Sequence, residues 1–165
     1  MKVFNTTLLA LLGLLGSTQA DYWTNYVSDG WSPEECRESD ALVTGFKCRG
    51  SFCDDVRLRC KNPSTSKEHT YSYWTNKFSE ESGDVKCAKN HFVTGVACAG
   101  HFCDNLSMRC TYKPGRGSST DCDWTSLLSE EAGGTDYFRN GYYLRGMRCH
   151  GSYCDNKKFF ICKTT

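Results

Sequence analysis

The chain has 165 residues, with 20 Lys and Arg against 19 Asp and Glu and a formal net charge of +1. That balance leaves no basic excess to neutralise phosphates and no polybasic run for anionic lipid, so nucleic acid and a charged membrane surface are not expected partners. The count of 12 Cys is even, which in an exported chain points to a disulfide framework.

Residues 1–20 have the layout of a secretory signal peptide. Lys2 gives a positive start, Leu8 to Leu15 form a short apolar run, and Thr18 and Ala20 put small residues ahead of the cleavage point. The run is too short to span a bilayer, and no later segment is apolar enough to do so. Cleavage before Asp21 would leave residues 21–165 as one extracellular domain, neutral once Lys2 is gone.

From there the chain repeats. Trp23-Thr24-Asn25, Trp74-Thr75-Asn76 and Trp124-Thr125 open three copies spaced about fifty residues apart. The copies run over about 23–60, 74–110 and 124–162. Ser28, Ser79 and Ser129 hold equivalent places, followed by Asp29-Gly30, Glu80-Glu81 and Glu130-Glu131. In the first copy Thr44-Gly45 leads through Cys48 to Gly50-Ser51-Phe52-Cys53-Asp54-Asp55 and closes on Cys60. The second repeats this as Thr94-Gly95, Cys98, Gly100-His101-Phe102-Cys103-Asp104-Asn105 and Cys110. The third has Arg145-Gly146, Cys149, Gly151-Ser152-Tyr153-Cys154-Asp155-Asn156 and Cys162.

Segments such as His91–Cys98 and Leu106–Cys110 alternate apolar with small or polar residues, and no stretch beyond residue 20 sustains a helical period, so strands are expected throughout. The recurring glycines mark bulges or tight turns. Asn62–Ser66 and Pro114–Ser119 read as surface linkers. Each copy is too small to bury a core alone, so the three must share one. Trp23, Trp74 and Trp124 are the expected plugs near the axis.

The cysteine pattern carries its own clue. The third copy has Phe138 where the others have Cys36 and Cys87, and an extra Cys122 just before Trp124. The Cys149/Cys154 pair is intact, so Cys122 should reach the closing Cys162. By analogy Cys36–Cys60 and Cys87–Cys110 are the long bridges, and Cys48–Cys53, Cys98–Cys103 and Cys149–Cys154 close small hairpin loops. Zinc ligation is the lesser reading, because His69, His91, His101 and His150 do not recur with the cysteines.

The order of Trp, Cys, Thr-Gly with an alternating strand, and an acidic turn before Val56-Arg57-Leu58-Arg59-Cys60 resembles the vitelline membrane outer layer protein I family. Leu106-Ser107-Met108-Arg109-Cys110 and Phe159-Phe160-Ile161-Cys162 carry the same likeness. The resemblance implies an all-β, disulfide-rich β-prism: three pseudo-symmetric repeats forming three Greek-key sheets around an axis. Similar Cys-Asp-Asn repeats also look like β-prism modules of pore-forming toxins. Prisms of this kind often bind carbohydrate, which points to a lectin-like protein.

The candidate ligand-binding residues are therefore the repeated turns: Phe52, Asp54 and Asp55; Phe102, Asp104 and Asn105; Tyr153, Asp155 and Asn156. A carboxylate and an amide beside a ring face suit a sugar, in three equivalent sites that gain avidity together. The same acids could instead cap their own turns. Adjacent glutamates at 80–81 and 130–131 should point to opposite faces of a strand and read as solvated rather than as a glycosidase pair. No catalytic cluster, metal site or cofactor is expected. Asn105-Leu106-Ser107 is a glycosylation sequon. A non-catalytic secreted module recognising a glycan or glycosylated surface leads. A structural coat or wall protein and a secreted effector or toxin component are the alternatives, and an enzyme on amino-sugar polymers follows only from the family likeness.

Overall fold

The computed structural model describes residues 20–62, 71–114 and 121–164. The predicted leader up to residue 19, linker residues 63–66 and 115–119, and His69 lie outside them. Copy one supplies β1 (Tyr22–Trp23), β2 (Glu34–Glu35), β3 (Leu42–Arg49) and β4 (Asp55–Lys61). Copy two supplies β5 (Ser72–Trp74), β6 (Val85–Lys86), β7 (His91–Ala99) and β8 (Asn105–Tyr112). Copy three supplies β9 (Cys122–Trp124), β10 (Thr135–Tyr137), β11 (Tyr142–His150) and β12 (Asn156–Lys163).

These strands make three antiparallel four-stranded sheets in the orders β1-β4-β3-β10, β5-β8-β7-β2 and β9-β12-β11-β6. Each copy builds three strands of its own sheet and donates its second strand to another. β2 joins the sheet of copy two, β6 that of copy three, and β10 returns to that of copy one. The exchange closes a ring, giving the all-β, prism-like arrangement of three pseudo-symmetric repeats. Donation also explains the recurring Thr-Gly or Arg-Gly. A bulge falls between Val43 and Gly45, Val93 and Gly95, and Leu144 and Gly146. A Cβ at Gly45 would lie 2.8 Å from the Asp136 carbonyl of donated β10, so the visiting strand fits only against a glycine.

The core lies where β3, β7 and β11 face one another. Its equivalent positions differ in size but compensate across copies: Phe46, Val96 and Met147 on the first long strand meet Leu58, Met108 and Phe159 on the second, all fully buried. Phe46 packs on Phe159 with ring centroids 4.8 Å apart. Beside the second long strand, on the edge away from the donated one, sit Val27, Phe78 and Leu128, buried in every copy and bridged to Val56, Leu106 and Lys157.

The tryptophans do not plug the axis. Trp23 and Trp124 are half-buried and Trp74 is 39% exposed, because they occupy short outer strands and face away from the core. The buried plug is the residue four places later, which the bridge to the second long strand turns inward. The paired glutamates are not on strands either. Glu80 and Glu81 sit in a one-turn 3-10 helix capped by Ser79 and Ser82, and Glu130 and Glu131 occupy a turn.

All twelve cysteines are paired, as Cys36–Cys60, Cys48–Cys53, Cys87–Cys110, Cys98–Cys103, Cys122–Cys162 and Cys149–Cys154. The long bridges are not equivalent. Cys36 directly follows donated β2 and Cys60 lies on β4, so that bridge staples two sheets, as Cys87–Cys110 does for the next pair. Cys122 and Cys162 face each other on adjacent strands of one sheet. At the third seam Phe138 stands in the place of Cys36, with its N–H on Thr44 O at 2.9 Å and its ring 5.5 Å from Phe159. No helix among the described residues is long and apolar enough to cross a membrane.

Candidate functional site

The three Cys-Asp turns join the long strands of each sheet at one end of the axis, and the structure brings them into mutual contact. In each, a glycine with φ near 75° opens the loop: Gly50, Gly100 and Gly151. A Cβ there would fall 1.9, 2.0 or 2.1 Å from Oδ1 of Asp54, Asp104 or Asp155. The aspartate therefore folds over its own glycine, and the two residue types recur together for that reason. Asp104 Oδ1 accepts a hydrogen bond from Asn105 Nδ2 at 2.7 Å, and Asp155 Oδ1 from Asn156 Nδ2 at 2.7 Å. These acids cap their loops. The Asn105 side-chain nitrogen of the sequon is held in that cap.

Between glycine and aspartate come two consecutive residues in the left-handed region: Phe52 and Cys53, Phe102 and Cys103, Tyr153 and Cys154, with φ of 56° to 59°. Residues with side chains pay for that conformation, roughly 1–3 kcal/mol each, and hold it only when the surroundings over-determine it. Here each loop is tied back to its own strand by the short disulfide and closed on itself by an N–H···O bond, such as Asp104 N to His101 O at 3.0 Å.

The result of this backbone is convergence. The rings of Phe52, Phe102 and Tyr153 pack against one another in a triangle with centroids 5.2, 5.3 and 5.5 Å apart, at tilts of 58° to 67°. They remain 36%, 38% and 42% exposed. The sequence suggests three separate ring faces; the fold gathers them into one aromatic apex on the axis. Tyr153 alone brings a hydroxyl, and His101 lies beside Phe102 at 6.4 Å.

Beneath the apex the symmetry breaks. Copy one has Asp55 in place of the bridging asparagine, and Asp55 turns to Arg49 at 2.9 Å. Among the described residues Asp54 Oδ1 is left enclosed without a hydrogen-bond partner, and burial, then the charge of Asp55, pushes its carboxyl above the ordinary range. Glu130 of copy three caps the copy-one loop, accepting from Phe52 N–H at 3.2 Å. Lys157 stands where copies one and two have Val56 and Leu106 and is fully buried, its ammonium donating to Cys154 O at 2.5 Å. Burial lowers its pKa to about 8, opposed by attraction to Asp155, Glu130 and Asp54. No sequence period marks Lys157; its signal is a lysine at a position that is apolar in the other two copies.

The histidines stay apart. His91 is buried among Tyr71, Tyr73 and Tyr112 with Nδ1 2.8 Å from Lys89 O, His150 is half-buried, and His101 is at the apex. Among the described residues no three His, Cys, Asp or Glu side chains are grouped as a metal site. The arrangement can offer apolar ring faces, one phenol and one imidazole to a ligand from outside. Comparison of the chain with protein-family models, with curated proteins and with solved structures finds no match to any of them.

Proposed function

We propose that this protein is a secreted, non-catalytic recognition module, lectin-like in action, that engages a glycan or a glycosylated surface at the aromatic apex. The observation that carries this reading is the convergence of Phe52, Phe102 and Tyr153, exposed on the axis and held there by six left-handed residues and three short disulfides. Strain that is built in three times, to present rings rather than to bury them, serves presentation. Aromatic faces stack on the apolar face of a pyranose, while the Tyr153 hydroxyl and His101 hydrogen-bond its rim. The chemical difference between one tyrosine and two phenylalanines gives a threefold scaffold a single preferred ligand orientation.

The test is a glycan array probed with the fully oxidised protein and with the F52S/F102S variant, whose substituted side chains are already exposed. Wild type is expected to bind a defined set of glycans, and the variant to lose that set while unfolding at an unchanged midpoint. An empty array for the wild type, or an identical pattern for the variant, contradicts the reading.

A further inference from the structure

The outer face of the sheet β1-β4-β3-β10 carries a longer row of cations and rings than either of the other two sheets. Alternate residues of β4 point away from the core, so Arg57, Arg59 and Lys61 share this face with Lys47 and Arg49 of β3. Across it runs an unbroken row in which cations are interleaved with rings. Arg49 lies 3.8 Å from the Tyr26 ring centre. Arg57 is clamped between Tyr26 at 4.5 Å and Trp23 at 4.8 Å. Trp23 meets Tyr137 of donated β10 edge-on at 6.0 Å, and Arg59 closes the row over Tyr137 at 5.0 Å.

The charges on this face are only partly compensated. Arg49 pairs with Asp55 and Arg59 with Asp21, both at 2.9 Å. Among the described residues no carboxylate pairs with Lys47, Arg57 or Lys61. Arg57 Nε is enclosed and has no hydrogen-bond partner among the described residues. The equivalent face of β5-β8-β7-β2 has Ala97, Ala99 and Ser107 in place of Lys47, Arg49 and Arg57. Its one arginine, Arg109, is neutralised by Glu35, which takes the place of Tyr137. On the third sheet Phe160 replaces Arg59, and Lys86 and Arg148 gather on Asp84. The third sheet thus has a shorter row, Lys86 and Arg148 against Trp124 and Phe160 with Lys158 in the place of Arg57, while the first sheet gathers five cations, of which Lys47, Arg57 and Lys61 pair with no carboxylate among the described residues.

We propose that this face is a binding site for a linear anionic glycan, sulfated or uronate-bearing, with Arg57 as its central anion ligand. A guanidinium held against two rings has already lost much of its rotamer freedom, so binding costs little further entropy. The N–H donors of a guanidinium lie in its plane, the geometry that takes two oxygens of a sulfate or carboxylate at once. Lys47 and Lys61 supply flanking charge, and Tyr137, 60% exposed, offers a ring face to the sugar between two anionic groups. A glycan is favoured over nucleic acid because a framework of six disulfides belongs to oxidising compartments, and because acidic neighbours such as Glu34, Glu35 and Glu38 limit how far a long polyphosphate could wrap. The site does not depend on the apex.

The experiment measures binding of the oxidised protein to a size-defined heparin oligosaccharide, to polygalacturonate, to neutral dextran and to duplex DNA at low and physiological salt. Heparin oligosaccharide, polygalacturonate or both should bind, more weakly as salt rises, and dextran should not. R57Q should weaken binding about tenfold or more. K47Q/K61Q, which leaves the stacked row intact, should weaken it and lower the salt dependence. R109Q, an equal charge change on the neutralised sheet, and F52S/F102S should leave it within about twofold. The proposal is overturned if neither acidic glycan binds the wild type, if R109Q costs as much as R57Q, if K47Q/K61Q has no effect, or if duplex DNA binds as tightly as the glycans.

Discussion

Lys157 is the residue whose environment departs most from its repeat equivalents. Val56 and Leu106 show that the position is a core position, yet here it holds an amine on the Cys154 carbonyl. Its folded pKa of about 8 lies below the ordinary 10.5, with burial as the first cause. Between those values the unfolded chain holds a proton that the folded chain has released, so stability rises with pH through that window, by roughly 3 kcal/mol for a shift of this size. Below pH 8 the amine is charged in both states and its burial weighs fully against folding. K157L is therefore expected to raise unfolding free energy at neutral pH by roughly 1–3 kcal/mol and to remove the rise toward about pH 10. Denaturant titrations at both pH values check this; a loss of stability at neutral pH would mean that the carbonyl and the nearby carboxylates outweigh the burial cost. At this scale the sequence was legible where it repeated. Gly50, Gly100 and Gly151 recur with their aspartates because one fills the space the other leaves. It misled for Trp23, Trp74 and Trp124, since recurrence marks a shared position without saying which face of a short strand it occupies. The row through Arg57 was not legible, because its Tyr137 arrives from another copy.

Among the elements, the donated strands decide how the copies cohere. β2, β6 and β10 are two or three residues long and could not stand alone, yet each fills the edge of another copy's sheet and buries a glycine-backed bulge. Two of the three seams also carry a covalent staple, and the third, between β10 and the sheet it completes, relies on Phe138 against Phe159. That seam should open first. Amide exchange is expected to be faster in β10 than in β2 or β6. The double variant F138C/I161C, which places cysteines at the equivalents of Cys36 and Cys60, should form a new disulfide between positions 138 and 161, detectable by peptide mapping, and slow exchange in β10. Two free thiols in that variant would contradict the equivalence of Phe138 and Cys36. Alternation and turn residues made the long strands and the hairpin loops readable from the sequence. The two-residue strands and their exchange were not, because so short a segment has no period and its pairing is settled by a sheet elsewhere in the chain.

At the scale of the whole molecule, threefold repetition builds the frame and departures from it create the surfaces. The ring of sheets gives three equivalent outer faces, of which the first carries the longest row of cations interleaved with rings. It gives three equivalent loops that merge into a single apex, so their rings form one composite surface on the axis rather than three separate ones. The most direct measurement is a calorimetric titration of the best array glycan into the oxidised protein, read in parallel by aromatic NMR shifts. The expected result is one ligand per chain, with the resonances of Phe52, Phe102 and Tyr153 moving together. Three ligands per chain, or rings that stay still while binding proceeds, would contradict a composite apex.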